Sequence, residues 1–516
     1  MPTSFFPARC LKFYPGLLAV LAALPLAAAE PATNSPATNP PAKGELATIP
    51  DASYRPVLIT NTVSIAGERV TYTAETGMLP ILKTDGTSRA SLFYVAYTRQ
   101  PATNSARPVT FCFNGGPGSA SVWLHLGALG PRRVKLNEDG SQSAPPGGLV
   151  DNEYSALAAS DLVFIDPVAT GFSRAAKEEK PADFFGDSAD LDSVGEFIRL
   201  WTTRHGRWLS PKYLCGESYG VFRAAGLADH LRGRYGMYLN GLILISGVLD
   251  FATISGQTGN DLPYSLILPA YTAAAHFHHQ LPADLQGDLD RALAESRSFA
   301  RGEYAVALQA GAALPAAERA KIVAQLARLT GLPARVIEDN QLRVDPGTFR
   351  KQLLHEQGLI LGAYDARLTG RDGDPAANGP AFDPAAAAVM GPVAAGMNTY
   401  VRGELKFEDD LPYEIFAGVQ PWNYGAHESY PNASDRLASV MNQNPYLRLL
   451  VCGGRCDLVC PIDTMRHSLE HLPLAEAYRK NIHYAEFDAG HMMYINRPDL
   501  RKFQTEFIQF VNSPPN

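Results

Sequence analysis

The chain has 516 residues, of which 46% are hydrophobic and 19% charged, so it can form a large core together with an inserted subdomain. Its formal net charge is −7 at pH 7. We therefore expect no nucleic-acid partner, because binding to nucleic acid favours a basic patch or stripe.

The first 48 residues have the composition of a targeting segment and a linker. Arg9 and Lys12 precede an apolar run over residues 17–26 and three alanines, a pattern that predicts a secretory signal peptide over residues 1–29. The run is shorter than the ~20 residues that a spanning helix needs, so we expect no stable membrane anchor; an uncleaved anchor is the alternative. Residues 30–48 are rich in Pro, Ala, Thr and Asn and are predicted to be a disordered spacer. The chain is therefore expected to be exported, to the periplasm or the extracellular space.

The remaining chain alternates strand and helix patterns. Residues 69–73 and 91–97 are predicted to be antiparallel strands at one edge of a sheet. Continuous apolar runs are typical of parallel strands that are buried on both faces, and they occur at 108–113, 162–165, 241–245 and 447–451. Helical patterns fall between the strands, for example at 190–201 and 221–231. The order indicates an α/β fold with a mostly parallel central sheet and helices on both of its faces.

A long helical segment interrupts this alternation. Residues 263–397 are rich in Ala, Leu and Arg, with helical spacing at 284–308 and 316–329 and no strong parallel-sheet strand. We interpret the segment as a helical cap inserted into a core that is formed by residues 49–262 and 398–516.

A nucleophile is predicted at Ser218. Residues 213–220 read Tyr-Leu-Cys-Gly-Glu-Ser-Tyr-Gly, an apolar strand that enters a Gly-x-Ser-x-Gly turn before a helix. Such a sharp turn lifts the serine hydroxyl above the edge of the sheet. A serine at its ordinary pKa is a poor nucleophile, so it needs a base that an anion orients.

The partners of Ser218 are expected later in the chain, first an acid and then a histidine. Asp457 lies in the loop after the strand at 447–451 and is the predicted acid. Asp463, the nearest alternative, is expected in the first turn of a helix. His491 lies between a strand at 482–487 and a helix that begins near residue 498, so it is the predicted base.

Donors for a developing oxyanion are predicted in two places. Residues 114–118 read Asn-Gly-Gly-Pro-Gly directly after a strand, where glycine lets backbone N–H groups approach a substrate closely. The N–H of Tyr219, at the start of the helix after the nucleophile, is the second predicted donor.

No metal or cofactor is expected. Three of the cysteines recur at every fourth position, but these spacings do not match those of zinc sites, and we favour a structural or disulfide role. An odd number of cysteines in an oxidising compartment leaves at least one thiol unpaired. The cysteines after the predicted signal peptide are Cys112, Cys215, Cys452, Cys456 and Cys460.

Five segments in this order resemble the motifs of the serine carboxypeptidase family, and we interpret the chain as a bacterial-type member. The segments are residues 114–119, 166–173, 216–220, 457–461 and 490–492. The resemblance implies an α/β-hydrolase fold with a cap and release of C-terminal residues from peptides through an acyl-enzyme. It also implies roles for individual residues: Ser218, Asp457 and His491 as the triad, Gly116 and Tyr219 as oxyanion donors, and Asn114, Gly115 and Glu217 as ligands of the substrate's terminal carboxylate.

The chain departs from this family pattern in two places. Well-known members carry a second glutamate that shares a proton with the residue matching Glu217, and Ala128 stands at that place here. A lone Glu217 is expected to ionise more readily and to repel a carboxylate, and His125, one helical turn earlier, is a candidate compensating cation. The segment 453–456 also holds one residue more than the familiar spacing before the acid.

Two other functions remain open from the sequence. An esterase or acyltransferase acting on a small acyl substrate would use the same triad, because fold and chemistry do not fix the leaving group. A non-catalytic binding protein of the hydrolase fold is the third interpretation, although all three triad candidates are present.

Overall fold

Ten strands form one mixed sheet in the part of the chain that the computed structural model describes, residues 55–102, 107–426 and 429–513. The predicted signal peptide and spacer lie outside the described residues. The strands of this sheet are β1 (Val57–Ile65), β2 (Glu68–Leu82), β3 (Ser88–Arg99), β4 (Val109–Phe113), β7 (Asp161–Ile165), β8 (Arg174–Ala175), β9 (Lys212–Glu217), β10 (Gly241–Ile245), β13 (Arg448–Gly454) and β14 (Ile482–Phe487). Two small hairpins lie off the sheet, β5 (Arg132–Val134) with β6 (Leu149–Asp151) and β11 (Leu359–Leu361) with β12 (Thr369–Arg371).

The sheet changes from antiparallel to parallel at β7. The strand order is β1-β2-β3-β7-β4-β9-β10-β13-β14, and β8 pairs with β3. Strands β1, β2, β3 and β7 pair in antiparallel fashion, whereas all the pairs from β7 to β14 are parallel. This arrangement confirms the predicted antiparallel edge and mostly parallel centre.

The described residues form fifteen α-helices, and several of them cover both faces of the sheet, as the alternating pattern predicted. They are α1 (Val122–Leu124), α2 (Asp187–Arg204), α3 (Tyr219–Tyr235), α4 (Leu262–Phe277), α5 (Ala283–Gln286), α6 (Leu289–Phe299), α7 (Ala305–Ala310), α8 (Ala316–Thr330), α9 (Ala334–Asp339), α10 (Pro346–Gln352), α11 (Pro384–Gly403), α12 (Ser434–Gln443), α13 (Ile462–Glu470), α14 (Glu476–Arg479) and α15 (Arg497–Asn512).

The apolar runs of the central strands follow from burial on two faces. In β9, Leu214 packs into a core cluster with α2, α3 and α12, while Tyr213 and Cys215 pack into a second cluster with α11 and α15. Successive side chains of a strand point to opposite faces, so a strand with a core on each side needs apolar residues throughout.

Helices α4 to α10 follow β10 in the chain and have their own core. Leu285, Leu326 and Phe349 belong to this third apolar cluster, which also includes Cys456 and Leu458 of the loop after β13. The insertion therefore packs against a loop at the end of the sheet. The boundaries of a cap at residues 263 and 397 stay a prediction.

The helix predicted over residues 284–308 is wrong as one continuous element. It is divided into α5, α6 and α7, because the carboxylate of Asp288 accepts a hydrogen bond from the N–H of Arg291 at 3.0 Å and caps a new helix. A π-helical turn over Ala300–Tyr304 then separates α6 from α7, and Gly302 has non-helical backbone angles there. Capping and π-helical geometry are not visible in apolar spacing.

The five described cysteines are free and buried, so the disulfide role is not realised and a packing role fits them instead. Among the described helices, none is both long and apolar enough to cross a bilayer.

An ion-pair cluster ties the insertion to the sheet. The guanidinium of Arg297 on α6 lies 2.9 Å from a carboxylate oxygen of Asp463 on α13 and 3.0 Å from one of Glu486 on β14. Arg455 and Arg466 also pair with Glu486. Several charges that share partners with little exposure stabilise more than isolated surface pairs do.

Replacing Arg297 should therefore destabilise the protein. We expect Arg297→Met to lower the free energy of unfolding by about 1–3 kcal/mol, since Asp463 loses a charged donor in a mostly buried position. Arg301→Met is the matched control, because Arg301 forms an exposed pair with Glu470 at 3.5 Å and should cost less than ~0.5 kcal/mol. Urea denaturation of both variants measures the difference; equal losses would contradict this role for Arg297.

Candidate active site

The backbone turns sharply from β9 into α3 at Ser218. Its φ is 60° and its ψ is −126°, a region that residues other than glycine seldom adopt. Two hydrogen bonds hold the turn: the N–H of Ser218 donates to Ile245 O at 3.0 Å, and the N–H of Val221 donates to Ser218 O at 3.0 Å. Ser218 thus lies at the carboxyl edge of the parallel strands, as the Gly-x-Ser-x-Gly motif predicted.

The structure brings Asp457 and His491 together in the interior. Nδ1 of His491 lies 2.8 Å from Oδ2 of Asp457, and the two side chains are 2% and 0% exposed. The backbone N–H groups of Val459 and Cys460 donate to Oδ1 of Asp457 at 2.8 and 3.0 Å, which fixes the carboxylate. The alternative acid, Asp463, instead lies in the first turn of α13 and pairs with an arginine.

The electrostatic environment of His491 favours the protonated imidazole. Burial opposes protonation, but the nearby carboxylates of Asp457 and Glu217 outweigh it, and the pKa of His491 is raised above its usual value of 6.5. The backbone N–H of His491 donates to the backbone carbonyl of Tyr364. The ring of Tyr364 packs edge-on against the imidazole of His491, with 5.3 Å between the ring centroids. His491, the predicted base, therefore has a ring held by Tyr364 and an ordered carboxylate partner.

Ser218 interacts with a cysteine of the loop that carries Asp457. Burial raises the pKa of the Cys460 thiol well above its usual value, and the interaction with the Ser218 side chain opposes this rise. Among the described residues, no hydrogen bond joins Ser218 to His491; such bonds are often long before substrate binds.

The loop after β4 lies against the start of α3. A Cβ atom on Gly115 would stand 2.4 Å from the backbone nitrogen of Tyr219, so only glycine allows this approach. Tyr219 is the first residue of α3, where a backbone N–H has no partner within the helix. Gly116 follows in the same loop with a φ of 103°. The two predicted oxyanion donors thus come from adjoining segments.

Two interactions fix the position of this loop. Arg223, fully buried on α3, donates to the carbonyl of Asn114 and pairs with Asp190 of α2 at 2.6 Å. The carboxylate of Asp166 accepts hydrogen bonds from the N–H and the hydroxyl of Ser121 at 2.7 and 2.8 Å, just after the loop. Asp166 opens one of the five motifs, and its observed contact gives that motif a structural role.

Glu217 precedes the nucleophile and is almost fully buried. Its side chain is 3% exposed, and burial raises the pKa of the carboxyl group to about 7, although His491 nearby opposes the rise. Oε2 of Glu217 accepts hydrogen bonds from Asn114 Nδ2 at 3.0 Å and from the Tyr494 hydroxyl at 2.7 Å. Burial thus opposes the ionisation that was expected of a Glu217 without a second glutamate.

His125 is not the compensating cation that the sequence suggested. Its ring is fully buried and stacks on Phe164, with Nε2 2.6 Å from the hydroxyl of Tyr97. Burial lowers the pKa of His125 to about 3, so the ring stays neutral. His125 does lie on the same helical turn as Ala128, as its spacing predicted, but its buried surroundings keep it uncharged.

Tyr494 is a contact of Glu217 that the sequence did not predict. It lies three residues after His491, yet nothing in the local pattern relates it to Glu217, 277 positions earlier in the chain. Tyr364 was missed for the same reason, because it belongs to the insertion and reaches His491 only through the fold.

A cavity of about 200 Å³ borders the loop that follows Asp457. Val459 and Pro461, which flank Cys460, form part of its wall, and Tyr264 and Ile267 of α4 form another part. The insertion and the loop of the predicted acid thus line a mostly apolar cavity between them.

Part of this chain matches a known protein family, and its structure is similar to a solved one. Residues 67–266 match the serine carboxypeptidase family, peptidase S10. The match includes the glycine loop and Ser218, while Asp457 and His491 lie beyond it. The structure is similar to that of Kex1Δp, a prohormone-processing carboxypeptidase from Saccharomyces cerevisiae, with a TM-score of 0.53, 16% identity and coverage of 85% of this chain and 91% of that one. At this identity the likeness shows the α/β-hydrolase fold, which confirms the predicted fold class.

The chain is also similar to serine carboxypeptidase-like proteins from Arabidopsis thaliana. Serine carboxypeptidase-like 8 is 29% identical over 164 residues, which is 31% of this chain and 36% of the relative. Serine carboxypeptidase-like 16 is 28% identical over 185 residues, 34% of this chain and 40% of the relative. The chain thus spans little more than a third of the length of these relatives. As plant proteins, they give no support to the bacterial type that the sequence suggested.

The roles of the two acids can be separated by chemical labelling. A fluorophosphonate probe should label Ser218 in the wild-type protein, and Asp457→Asn should slow this reaction by about 10⁴-fold, as loss of the orienting carboxylate does in triads. Asp463→Asn is the matched control and should label within a few-fold of wild type. Rapid labelling of Asp457→Asn together with slow labelling of Asp463→Asn would move the acid role to Asp463.

Proposed function

We propose that this chain is a serine-type carboxypeptidase that releases C-terminal residues from peptides through an acyl-enzyme on Ser218. The observation that carries the proposal is the position of Glu217, a buried carboxyl group next to the nucleophile that is largely protonated below about pH 7. A neutral carboxyl group can donate a hydrogen bond to a peptide's terminal carboxylate, whereas an ionised one repels it.

The remaining residues provide the chemistry of acyl transfer. Ser218 attacks the carbonyl of the last peptide bond while His491, oriented by Asp457, takes the hydroxyl proton. The N–H groups of Gly116 and Tyr219 stabilise the oxyanion of the tetrahedral intermediate. His491 then gives its proton to the leaving amine, and water attacks the acyl-enzyme by the reverse sequence of proton transfers.

Substrate is held on both sides of the scissile bond. We assign Asn114, Gly115 and Glu217 to the terminal carboxylate, because the Asn114 amide already contacts Glu217 and Gly115 lies against the turn at Ser218. The apolar cavity beside Cys460 can accept a side chain of the peptide. In this proposal residues 263–397 act as a cap, since Tyr364 contacts His491 and Tyr264 lines the cavity.

Export and a bacterial type are included in this proposal. Export is supported by the signal-peptide pattern of residues 1–29, and the bacterial type remains an expectation from the motifs.

Dependence on the free C-terminus tests the proposal. Wild-type protein should cleave a blocked dipeptide with a free carboxylate at least tenfold more efficiently, in kcat/KM, than the same peptide with an amidated C-terminus, because one charged hydrogen bond contributes ~1.5 kcal/mol or more. Mass spectrometry of a mixed peptide pool should show ladders shortened from the C-terminus, and Ser218→Ala is the inactive control. Equal turnover of the two peptides would instead favour an esterase or acyltransferase.

The acid limb of the pH profile should belong to His491. Its pKa is raised above 6.5, and the imidazolium cannot accept the serine proton, so kcat/KM should fall as the pH decreases through that raised value. A neutral ester substrate isolates this effect, since it has no carboxylate for Glu217 to bind. A rate that stays constant down to pH 5 would contradict this assignment of the base.

A further inference from the structure

Tyr494 occupies a buried place between the base loop and the helical segment after the glycine loop. It belongs to the short 3-10 turn Met493–Ile495 that precedes α15, and it is almost fully buried. A Cβ atom on Gly127 would lie 2.6 Å from the Tyr494 ring, so the glycine makes room for it. Gly127 directly precedes Ala128, the position where the family pattern places a second glutamate. The Tyr494 ring thus packs beside the segment that lacks the carboxylate.

We propose that Tyr494 is a positioning residue that replaces this missing glutamate: its hydroxyl and the Asn114 amide keep Oε2 of Glu217 as an acceptor, so that Oε1 carries the proton donated to a peptide's terminal carboxylate. The inference rests on the proposed carboxypeptidase function, because that function supplies the carboxylate ligand.

The orientation of the Asn114 amide supports this assignment. Its Oδ1 accepts a hydrogen bond from the N–H of Leu124 at 3.1 Å, so its NH₂ group faces Glu217. The Tyr494 hydroxyl donates to the same oxygen, Oε2, at 2.7 Å. No described residue donates a hydrogen bond to Oε1.

A neutral carboxyl group has one O–H donor, and its other oxygen acts as a carbonyl acceptor. Two donors aimed at Oε2 make Oε2 the carbonyl oxygen and place the proton on Oε1. A second glutamate would keep Glu217 protonated by sharing a proton with it. Tyr494 instead orients the proton of Glu217 by donating a hydrogen bond from its hydroxyl. This hydroxyl stays protonated, because burial and Glu217 raise the pKa of Tyr494 well above 10.

The charge state of Glu217 links this geometry to pH. Burial raises its pKa to about 7, while His491, Tyr494 and Asn114 oppose the rise. The titratable groups that interact with Glu217 are His491, Asp457, Tyr364, Cys460, Cys215 and Tyr494. Because the Tyr494 hydrogen bond stabilises the ionised form, its removal should raise the pKa of Glu217 further. Binding of free-carboxylate peptides should therefore weaken as the pH rises through about 7. In a variant that lacks the Tyr494 hydroxyl, this loss of binding should occur at a higher pH.

The experiment compares Tyr494→Phe with the wild-type protein on matched peptides with free and amidated C-termini. At pH 6, Tyr494→Phe should raise KM for the free-carboxylate peptide about tenfold, the effect of one lost hydrogen bond, and leave kcat within about twofold. KM for the amidated peptide should not change. The alkaline limb for the free-carboxylate peptide should shift to higher pH.

Two further variants separate positioning from general loss of a buried hydroxyl. Tyr304→Phe is the matched control, because the hydroxyl of Tyr304 donates to Leu342 O at 2.6 Å inside the insertion, and it should change neither KM nor the pH limb. Gly127→Ala keeps the Tyr494 hydroxyl but forces the ring to move, and it should raise KM for the free-carboxylate peptide selectively. An equal rise of KM for both peptides in Tyr494→Phe would overturn the inference.

An infrared titration tests Tyr494 independently of turnover. With ¹³C-labelled glutamate, the difference spectrum between wild type and Glu217→Gln isolates the Glu217 carboxyl band. Its midpoint should lie near pH 7 in the wild type and higher in Tyr494→Phe. An unchanged midpoint would overturn the role of Tyr494 even if the protein is a carboxypeptidase. The midpoint could also shift although the protein shows no preference for peptides with free C-termini. This outcome would support the interaction between Tyr494 and Glu217, but it would reject both the carboxypeptidase function and the carboxylate ligand.

Discussion

The backbone at Ser218 is held in a left-handed conformation with a φ of 60°, and the rest of the site is arranged around this turn. Strands β4, β9, β10, β13 and β14 are parallel, so their carboxyl ends meet at one edge of the sheet. The glycine loop follows β4, the acid loop follows β13, and the base loop follows β14. A strained turn at the centre of such an edge lies within reach of all three loops, and the surrounding hydrogen bonds maintain the strain.

Burial decides the charges in this site. Glu217 and His125 are both held away from water, and each has its pKa shifted towards the neutral form. His491 is equally buried, but the carboxylate of Asp457 outweighs burial and raises its pKa. Burial thus favours the neutral carboxyl group of Glu217, whereas the Asp457 carboxylate favours the charged form of His491. The proposed binding of a carboxylate and the proposed uptake of a proton would use these two opposite shifts.

The inserted helices contribute to the same site. The carbonyls of Tyr364 and Ala363 accept hydrogen bonds from the base loop and the acid loop, at His491 and Leu458. The ion pairs around Arg297 fix α6 to α13 and β14, next to those loops. The insertion therefore contacts the loops that carry Asp457 and His491 through backbone hydrogen bonds, and it also lines the cavity beside the Asp457 loop.

The sequence by itself determined the parallel strands, the turn at Ser218 and the order of Asp457 and His491, because apolar runs and short motifs are local patterns that geometry constrains strongly. It could not determine that α5, α6 and α7 are separate helices, since a cap at Asp288 and a π-helical turn break a pattern whose apolar spacing continues. Nor could it show that His125 is neutral or that Tyr494 contacts Glu217. Those facts depend on burial and on contacts between residues far apart in the chain, and only the tertiary structure decides which side chains share a dry interior.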